Sequence, residues 1–167
     1  MQIDIKSLKH AQGAAKTFAY SLDLDWYEEL GQKPFDSPLA VSGSIEEQAD
    51  ALYLEVCAKA AYHSVCDRCL EPVDYEIPLE LRLRIREQQT DREDEVYAPG
   101  GVLDVDQEVI SALVLALPTR RLCREDCKGL CPECGANLNI ETCNCQKKKI
   151  DPRLAVLAKL LETDGRE

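Results

Sequence analysis

The residues of this chain best suited to chemistry are its nine cysteines, eight of which form close pairs. The pairs are Cys66-x2-Cys69, Cys123-x3-Cys127, Cys131-x2-Cys134 and Cys143-x-Cys145, whereas Cys57 stands apart. Zinc prefers four soft ligands at tetrahedral angles, and a two-residue spacer lets both thiolates of a pair reach one ion. Pro132 and Gly135 suit such a turn, because proline presets one dihedral and glycine accepts a positive φ. The pattern therefore predicts zinc binding.

Eight paired cysteines are enough for two sites of four thiolates. We expect one compact local site built from Cys131, Cys134, Cys143 and Cys145. The second site would join Cys66 and Cys69 to Cys123 and Cys127, and would thereby link two distant parts of the chain. The alternative is a single site drawn from the six cysteines between 123 and 145, with Cys66 and Cys69 in a turn that binds no metal. The expected cofactor is thus one or two zinc ions.

The compartment decides how clustered cysteines are interpreted. The start of the chain has neither the basic flank nor the apolar core of a signal peptide, and no segment approaches the roughly 18 to 20 apolar residues of a membrane span. We therefore expect a cytoplasmic protein whose thiols stay reduced and bind metal rather than form a disulfide framework. Iron–sulfur ligation and reversible disulfides are the alternatives. Thioredoxin-type chemistry is disfavoured, because its Cys-x2-Cys opens a helix, whereas Cys66 follows one strand and leads into another.

The charge is unevenly distributed along the chain. Of 20 basic and 31 acidic residues, residues 1–117 hold 10 and 23, and residues 118–149 hold 7 and 4. The acidic body argues against non-specific binding to phosphate backbones. The basic residues around the cysteines could contact RNA phosphates or an acidic protein, or could simply offset the −2 charge of a four-thiolate zinc site. They are Arg120, Arg121, Arg124, Lys128, Lys147, Lys148 and Lys149.

Alternation of apolar and polar residues predicts three strands. The first runs through Phe18 to Leu24, and two clearer ribbons cover residues 52–60 and 73–85. These two ribbons would form an antiparallel hairpin with Cys66 and Cys69 at its tip. Pro78 cannot donate to a ladder, so we expect an edge strand or a bulge there. Residues 87–101 are polar and acidic and end in Pro-Gly-Gly, which is typical of a mobile surface loop.

Capping signals in the sequence predict two helices. Asp104 is a candidate N-cap for a largely buried helix of about three turns that ends at Pro118. Asp151 and Pro152 begin a second, amphipathic helix near the C-terminus. The expected fold class is α+β: an antiparallel β-meander packed by helices, with a Cys-rich zinc-binding C-terminal extension. We divide the chain into an α+β body of residues 1–117 and a Cys-rich zinc-binding segment of residues 118–167 that includes the C-terminal helix.

The sequence gives no support for catalysis. The only histidines, His10 and His63, have no Ser or Asp neighbours in the arrangement of a triad, and no glycine-rich phosphate motif is present. His63 is close enough to Cys66 to be an alternative zinc ligand, although a surface histidine at a strand end is favoured. Sites with four thiolates leave no open coordination position for a substrate or water. We therefore expect no enzyme, no small-molecule substrate and no catalytic residues.

The chain from about residue 40 to residue 161 resembles the YceD family, also known as DUF177, of bacterial and plastid proteins linked to accumulation of large-subunit ribosomal RNA. The motifs that support the resemblance are Cys66-x2-Cys69-Leu70-Glu71-Pro72, Leu115-Ala116-Leu117-Pro118, Cys123-x3-Cys127-Lys128-Gly129-Leu130-Cys131-Pro132-x-Cys134-Gly135-x-Asn137-Leu138-Asn139, Cys143-x-Cys145 and Asp151-Pro152-Arg153-Leu154. Residues 1–39 match only loosely. The resemblance implies a non-catalytic factor, without established catalytic residues or a defined binding surface.

The cysteine pattern predicts zinc binding, and the resemblance implies a factor in ribosome biogenesis that promotes accumulation or stability of large-subunit ribosomal RNA. Its partners would be that RNA or ribosomal proteins, with indirect contact to the RNA included, and no membrane. Two alternatives from other classes remain: a redox- or zinc-responsive regulatory protein acting through protein partners, which needs exposed reactive thiolates, and a zinc enzyme, which needs an open coordination position.

Overall fold

The computed structural model describes residues 1–8, 15–29, 31–49, 51–89 and 92–145. Seven strands, two short 3-10 turns and one α-helix make up this part of the chain. The strands are β1 (Gln2–Asp4), β2 (Ala15–Leu22), β3 (Leu39–Gln48), β4 (Ala51–Val65), β5 (Pro72–Arg86), β6 (Glu95–Tyr97) and β7 (Val102–Asp104), and helix α1 spans Val105–Ala116. The turns cover Lys6–Leu8 and Pro99–Gly101. The α+β fold class predicted from the sequence is confirmed.

Strands β2 to β5 form an antiparallel meander in chain order. Its longest unit is the β4–β5 hairpin, whose register runs without interruption from Tyr53↔Arg84 to Val65↔Pro72. The alternation of the two ribbons explains the hairpin, because one face of β4 is buried through Leu54, Val56 and the other apolar residues of that side. The predicted hairpin, with Cys66 and Cys69 at its tip, is confirmed.

Pro78 lies on an unpaired edge of β5, as the sequence indicates. It faces Lys59 of β4 in a regular register, so the strand has no bulge there. On the other side of β5, β6 pairs only with residues Arg84 to Arg86, and no other strand of the described ranges reaches Pro78. Proline is tolerated on a strand with such an open edge, because its missing N–H can face away from the paired strand.

The segment of residues 87–101 differs from the surface loop that we expected. In its described part, β6 pairs in parallel with β5, and Val96 and Ala98 are 3% and 0% exposed. The hydrogen bond from Ala98 N to Arg86 O extends this attachment to the sheet. The prediction was wrong because three residues are too few for period-2 alternation to stand out within a polar composition.

Helix α1 begins where the two-stranded sheet of β1 and β7 ends. Asp104 is its N-cap and accepts a hydrogen bond from Asp106 N, which confirms the predicted helix start. Val105, Val109 and Leu113 are buried, but Leu115 is 86% exposed, so the helix buries one face rather than most of its surface as expected. The helix packs mainly against β5.

Two sequence predictions fall outside the described residues. The helix that we expect from Asp151 and the body residue His10 lie beyond them, and the boundary between residues 117 and 118 stays a prediction. Within the described ranges, no helix has both the length and the apolar character required to cross a membrane.

Gly43 allows the close packing of the meander and gives a test of it. A Cβ at this position would lie 2.3 Å from the backbone oxygen of Glu55 and 2.7 Å from the Phe18 ring. We expect Gly43→Ala to lower the free energy of unfolding by about 1–3 kcal/mol, since neighbouring backbone must shift. The control is Ser42→Ala on the exposed position beside it, which should change stability by less than about 0.5 kcal/mol. Equal urea midpoints for the two variants would contradict this packing.

Candidate metal centre

The tip of the β4–β5 hairpin holds two cysteines in a tight turn. Cys66 N donates to Glu71 O at 2.8 Å, and Leu70 N donates to Cys66 O at 2.9 Å. Leu70 has a φ of 61°, an uncommon value for a residue with a side chain, and its side chain is 62% exposed. The turn directs both thiols inward, where Cys66 is fully buried and Cys69 is 4% exposed.

The chain after α1 returns to this tip through reciprocal hydrogen bonds. Asp67 N donates to Arg121 O at 2.7 Å, and Arg121 N donates to Asp67 Oδ2 at 2.7 Å. On the other side, the Tyr75 hydroxyl contacts both backbone groups of Leu122: it donates to the carbonyl at 3.1 Å and accepts from the N–H at 2.8 Å. These contacts place Cys123 and Cys127 beside the hairpin tip.

Four thiols from two distant segments meet there in what we call the bridging site: Cys66, Cys69, Cys123 and Cys127. All four sulfurs lie within 4.8 Å of one another. The Sγ atoms of Cys66 and Cys127 are 3.8 Å apart, and those of Cys69 and Cys123 are 3.6 Å apart. Four sulfurs at about 2.3 Å from one zinc ion at tetrahedral angles would be separated by about 3.8 Å. The spacing therefore fits a single tetrahedral ion.

A second group of thiols, the local site, consists of Cys131, Cys134, Cys143 and Cys145, again with all sulfurs within 4.8 Å. Its first pair lies in a tight turn, in which Cys131 N donates to Ala136 O and Gly135 N donates to Cys131 O. Gly135 has a φ of 74°, as the sequence suggested. The local site is more open, because Cys134 and Cys145 are exposed.

Hydrogen bonds from backbone amides favour the thiolate form of a cysteine in each site. Burial raises the pKa of Cys66, but hydrogen bonds from backbone groups of Cys123, Arg68 and Cys69 outweigh it and lower that pKa to about 6. In the local site, the amides of Cys134 and Glu133 lower the pKa of Cys131 to about 6. Each site thus offers an ionised sulfur near neutral pH, the form that binds metal.

The basic residues singled out from the sequence occupy different surroundings. Arg120, Arg124 and Lys128 are exposed near the cysteines, whereas Lys147, Lys148 and Lys149 lie outside the described residues. The Arg121 side chain is only 16% exposed and pairs with two carboxylates, at 2.9 Å from Glu29 and 3.0 Å from Asp67. Arg121 therefore joins the body to the hairpin tip.

Two further residues, His63 and Cys57, lie apart from the two thiol groups. Nδ1 of His63 is 2.8 Å from Asp74, and its Nε2 is 3.4 Å from Asp36, so carboxylates occupy both ring nitrogens. His63 is therefore placed as a surface residue rather than a zinc ligand. Cys57 is exposed on β4 and belongs to neither thiol group of the described residues.

Sequence reasoning did not assign roles to several residues around the thiols. Asn139 Nδ2 donates to Cys127 Sγ at 3.3 Å, and Arg68 donates to the Cys127 carbonyl at 2.7 Å. Gly129, with a φ of 75°, lies against the Arg68 carbonyl, where a Cβ would approach to 3.0 Å. The only signal for these roles was their position beside cysteine pairs, because contacts between distant segments leave no periodicity in a sequence.

Comparison with known proteins identifies the family of this chain. A family model described as large ribosomal RNA subunit accumulation protein YceD matches residues 54–161, more than half of the chain. The chain belongs to the YceD family. The matched range begins within β4 and includes all eight paired cysteines. The resemblance inferred from the motifs is thereby confirmed.

Relatives of this YceD protein come from bacteria and a plant. An uncharacterized protein of Mycobacterium tuberculosis is 37% identical over 102 residues, which cover 58% of this chain and 49% of that protein. YlbN of Bacillus subtilis, also uncharacterized, is 26% identical over 132 residues, or 77% of each chain. The chloroplastic YCED homolog 1 of Arabidopsis thaliana, named as a large ribosomal RNA subunit accumulation protein, is 32% identical over 74 residues, covering 43% and 23%.

This YceD chain spans about half the length of the Mycobacterium tuberculosis relative that it matches. The search of solved structures found no significant match. The family membership therefore rests on sequence, and the site geometry on the structure described above.

The Arg121 contacts provide a test of how the metal centre is attached to the sheet. Arg121→Ala leaves Glu29 and Asp67 without their shared cation, so we expect a loss of about 2–3 kcal/mol in unfolding free energy. It should also speed proteolysis within residues 118–130. The neighbouring exposed variant Arg120→Ala is the matched control and should change neither measurement. Indistinguishable urea curves and cleavage rates for the two variants would show that Arg121 does not hold the segment.

Proposed function

We propose that this YceD protein is a non-catalytic zinc-binding factor that promotes accumulation or stability of large-subunit ribosomal RNA. The observation that supports zinc most directly is the pair of four-thiol groups, with sulfur separations of 3.6 and 3.8 Å in the bridging site. Because all four sulfurs lie within 4.8 Å of one another, their arrangement supports one ion between them rather than a multi-iron cluster. When bound, zinc would supply structural cross-links between segments that share few apolar contacts.

The donor sets also support a non-catalytic role. With four sulfurs around each ion, no coordination position remains for water or a substrate. Backbone amides and the Asn139 side chain donate hydrogen bonds to the sulfurs, and Arg68 donates to the Cys127 carbonyl; none of these groups is placed to transfer a proton to or from a substrate. The proposed activity is therefore binding, with the shape of the contact surface maintained by metal.

The contact surface that we propose includes the exposed cations near the two sites. Arg120, Arg124 and Lys128 are exposed there, and Lys147 to Lys149 continue the basic character along the sequence. Residues 1–117 are strongly acidic, so the body would serve as a scaffold and residues 118–167 as the contact segment. The proposed partners are large-subunit ribosomal RNA or ribosomal proteins, in the cytoplasm. The name of the Arabidopsis relative supports the link to that RNA.

One observation favours a second candidate function. The local site exposes Cys134 and Cys145, whereas three of the four bridging thiols are buried. Exposed zinc thiolates are accessible to oxidants and to competing chelators. A redox- or zinc-responsive regulator acting through protein partners would use this difference. This second candidate function predicts that low peroxide concentrations release zinc from the local site and leave the bridging site intact.

Metal counting combined with RNA measurement tests the proposed function. The unmodified chain should hold two zinc ions, and Cys131→Ser with Cys134→Ser should hold one. In cells, the same double variant should lower large-subunit ribosomal RNA relative to small-subunit RNA, because the contact segment loses its shape. Cys57→Ser removes a thiol outside both sites and should leave zinc content and RNA unchanged. Normal RNA levels in a variant that has lost zinc would contradict the link between metal and function.

A further inference from the structure

Asn139 connects the two thiol groups. It belongs to the loop between Cys134 and Cys143 of the local site. Its side-chain amide nevertheless donates to the Sγ atom of Cys127 in the bridging site, at 3.3 Å. Only three residues separate Cys127 from Cys131, so the two groups are also neighbours along the chain.

The orientation of this amide is determined by its other contacts. Asn139 Oδ1 accepts a hydrogen bond from Lys128 N at 2.8 Å, which directs Nδ2 toward the sulfur. Asn139 N donates to Asn137 Oδ1 at 3.0 Å, and Leu138 N donates to Gly129 O at 2.9 Å. The donor therefore reaches Cys127 only while the loop keeps this conformation.

The loop also touches the hairpin tip through another residue. Asn137 Nδ2 lies 3.3 Å from Glu71 Oε1, and Leu130 N, at the base of the loop, donates to Arg68 O at 3.0 Å. No residue of this eight-residue loop is buried, so hydrogen bonds alone must offset the conformational entropy lost when the loop is ordered, unless its ends are tied. Ligation of Cys134 and Cys143 by one ion would tie them.

We propose that the two metal sites are energetically coupled through Asn139: metal in the local site orders the loop, and the ordered Asn139 strengthens metal binding by the bridging site. This inference rests on the proposed binding of metal at both sites. By linkage, metal in the bridging site strengthens binding at the local site by the same factor. Asn139 is thus a positioning residue, and groups of this kind typically change metal affinity about 10–100-fold.

The test is a double-mutant cycle on the full chain, with Co²⁺ as the probe. Its thiolate absorption reports binding, and a competing chelator gives the affinities. In the otherwise unmodified chain, Asn139→Ala should lower the overall two-metal binding constant about 10–100-fold. When Cys131→Ser and Cys134→Ser have removed the local site, Asn139→Ala should change the remaining affinity by less than about two-fold. That difference between the two backgrounds measures the coupling.

Asn144→Ala is the matched control, because it removes the same amide from an exposed residue of the same segment. It should leave the overall constant within about two-fold of the unmodified value. Equal losses from Asn139→Ala in both backgrounds, or no loss in either, would overturn the coupling while leaving two-metal binding in place. Absence of Co²⁺ uptake by the unmodified chain would overturn the proposed metal binding and the coupling together.

Discussion

The meeting of four thiols from two distant segments is the constraint on which this structure depends. Cys66 and Cys69 come from a hairpin tip, and Cys123 and Cys127 arrive 54 to 61 residues later in the chain. The segment that supplies the second pair has few apolar side chains, and among the described residues Leu122 and Leu130 are the partly buried apolar ones that pack beside the buried sulfurs. The position of this segment therefore depends on its polar contacts with Asp67, Tyr75 and Arg68, and on the interaction that holds the four sulfurs together.

Most of the sheet could be predicted because its pattern is local. Alternating residues on β4 and β5 indicated both strands and hence the cysteines at their tip, and the spacing of the pairs indicated two groups of four. Short elements were harder: β6 has three residues and becomes a strand only because β5 offers a free edge. The apolar run of α1 shows no polar face and therefore predicts a largely buried helix, whereas Leu115 is exposed. The roles of Asn139 and Arg121 depend on long-range contacts, which a single sequence does not display.

The two thiol groups have different structural roles. The bridging site links the C-terminal segment to the sheet, and the local site shapes a short stretch of that segment. Because Gly129, Arg68 and Asn139 lie between them, the two groups form one continuous polar unit rather than two separate modules. We propose that metal binding makes this unit a rigid support for the exposed cations of a YceD protein whose body is acidic, without a large apolar core.

Cadmium-113 NMR tests the central claim most directly, since it identifies which cysteines share an ion. In the cadmium-substituted full chain, one cadmium signal should correlate with the β-protons of Cys66, Cys69, Cys123 and Cys127, and a second with those of Cys131, Cys134, Cys143 and Cys145. A signal that joins Cys123 and Cys127 to cysteines after residue 130, with Cys66 and Cys69 uncoupled, would contradict the account. The hairpin tip would then have no metal link to the C-terminal segment.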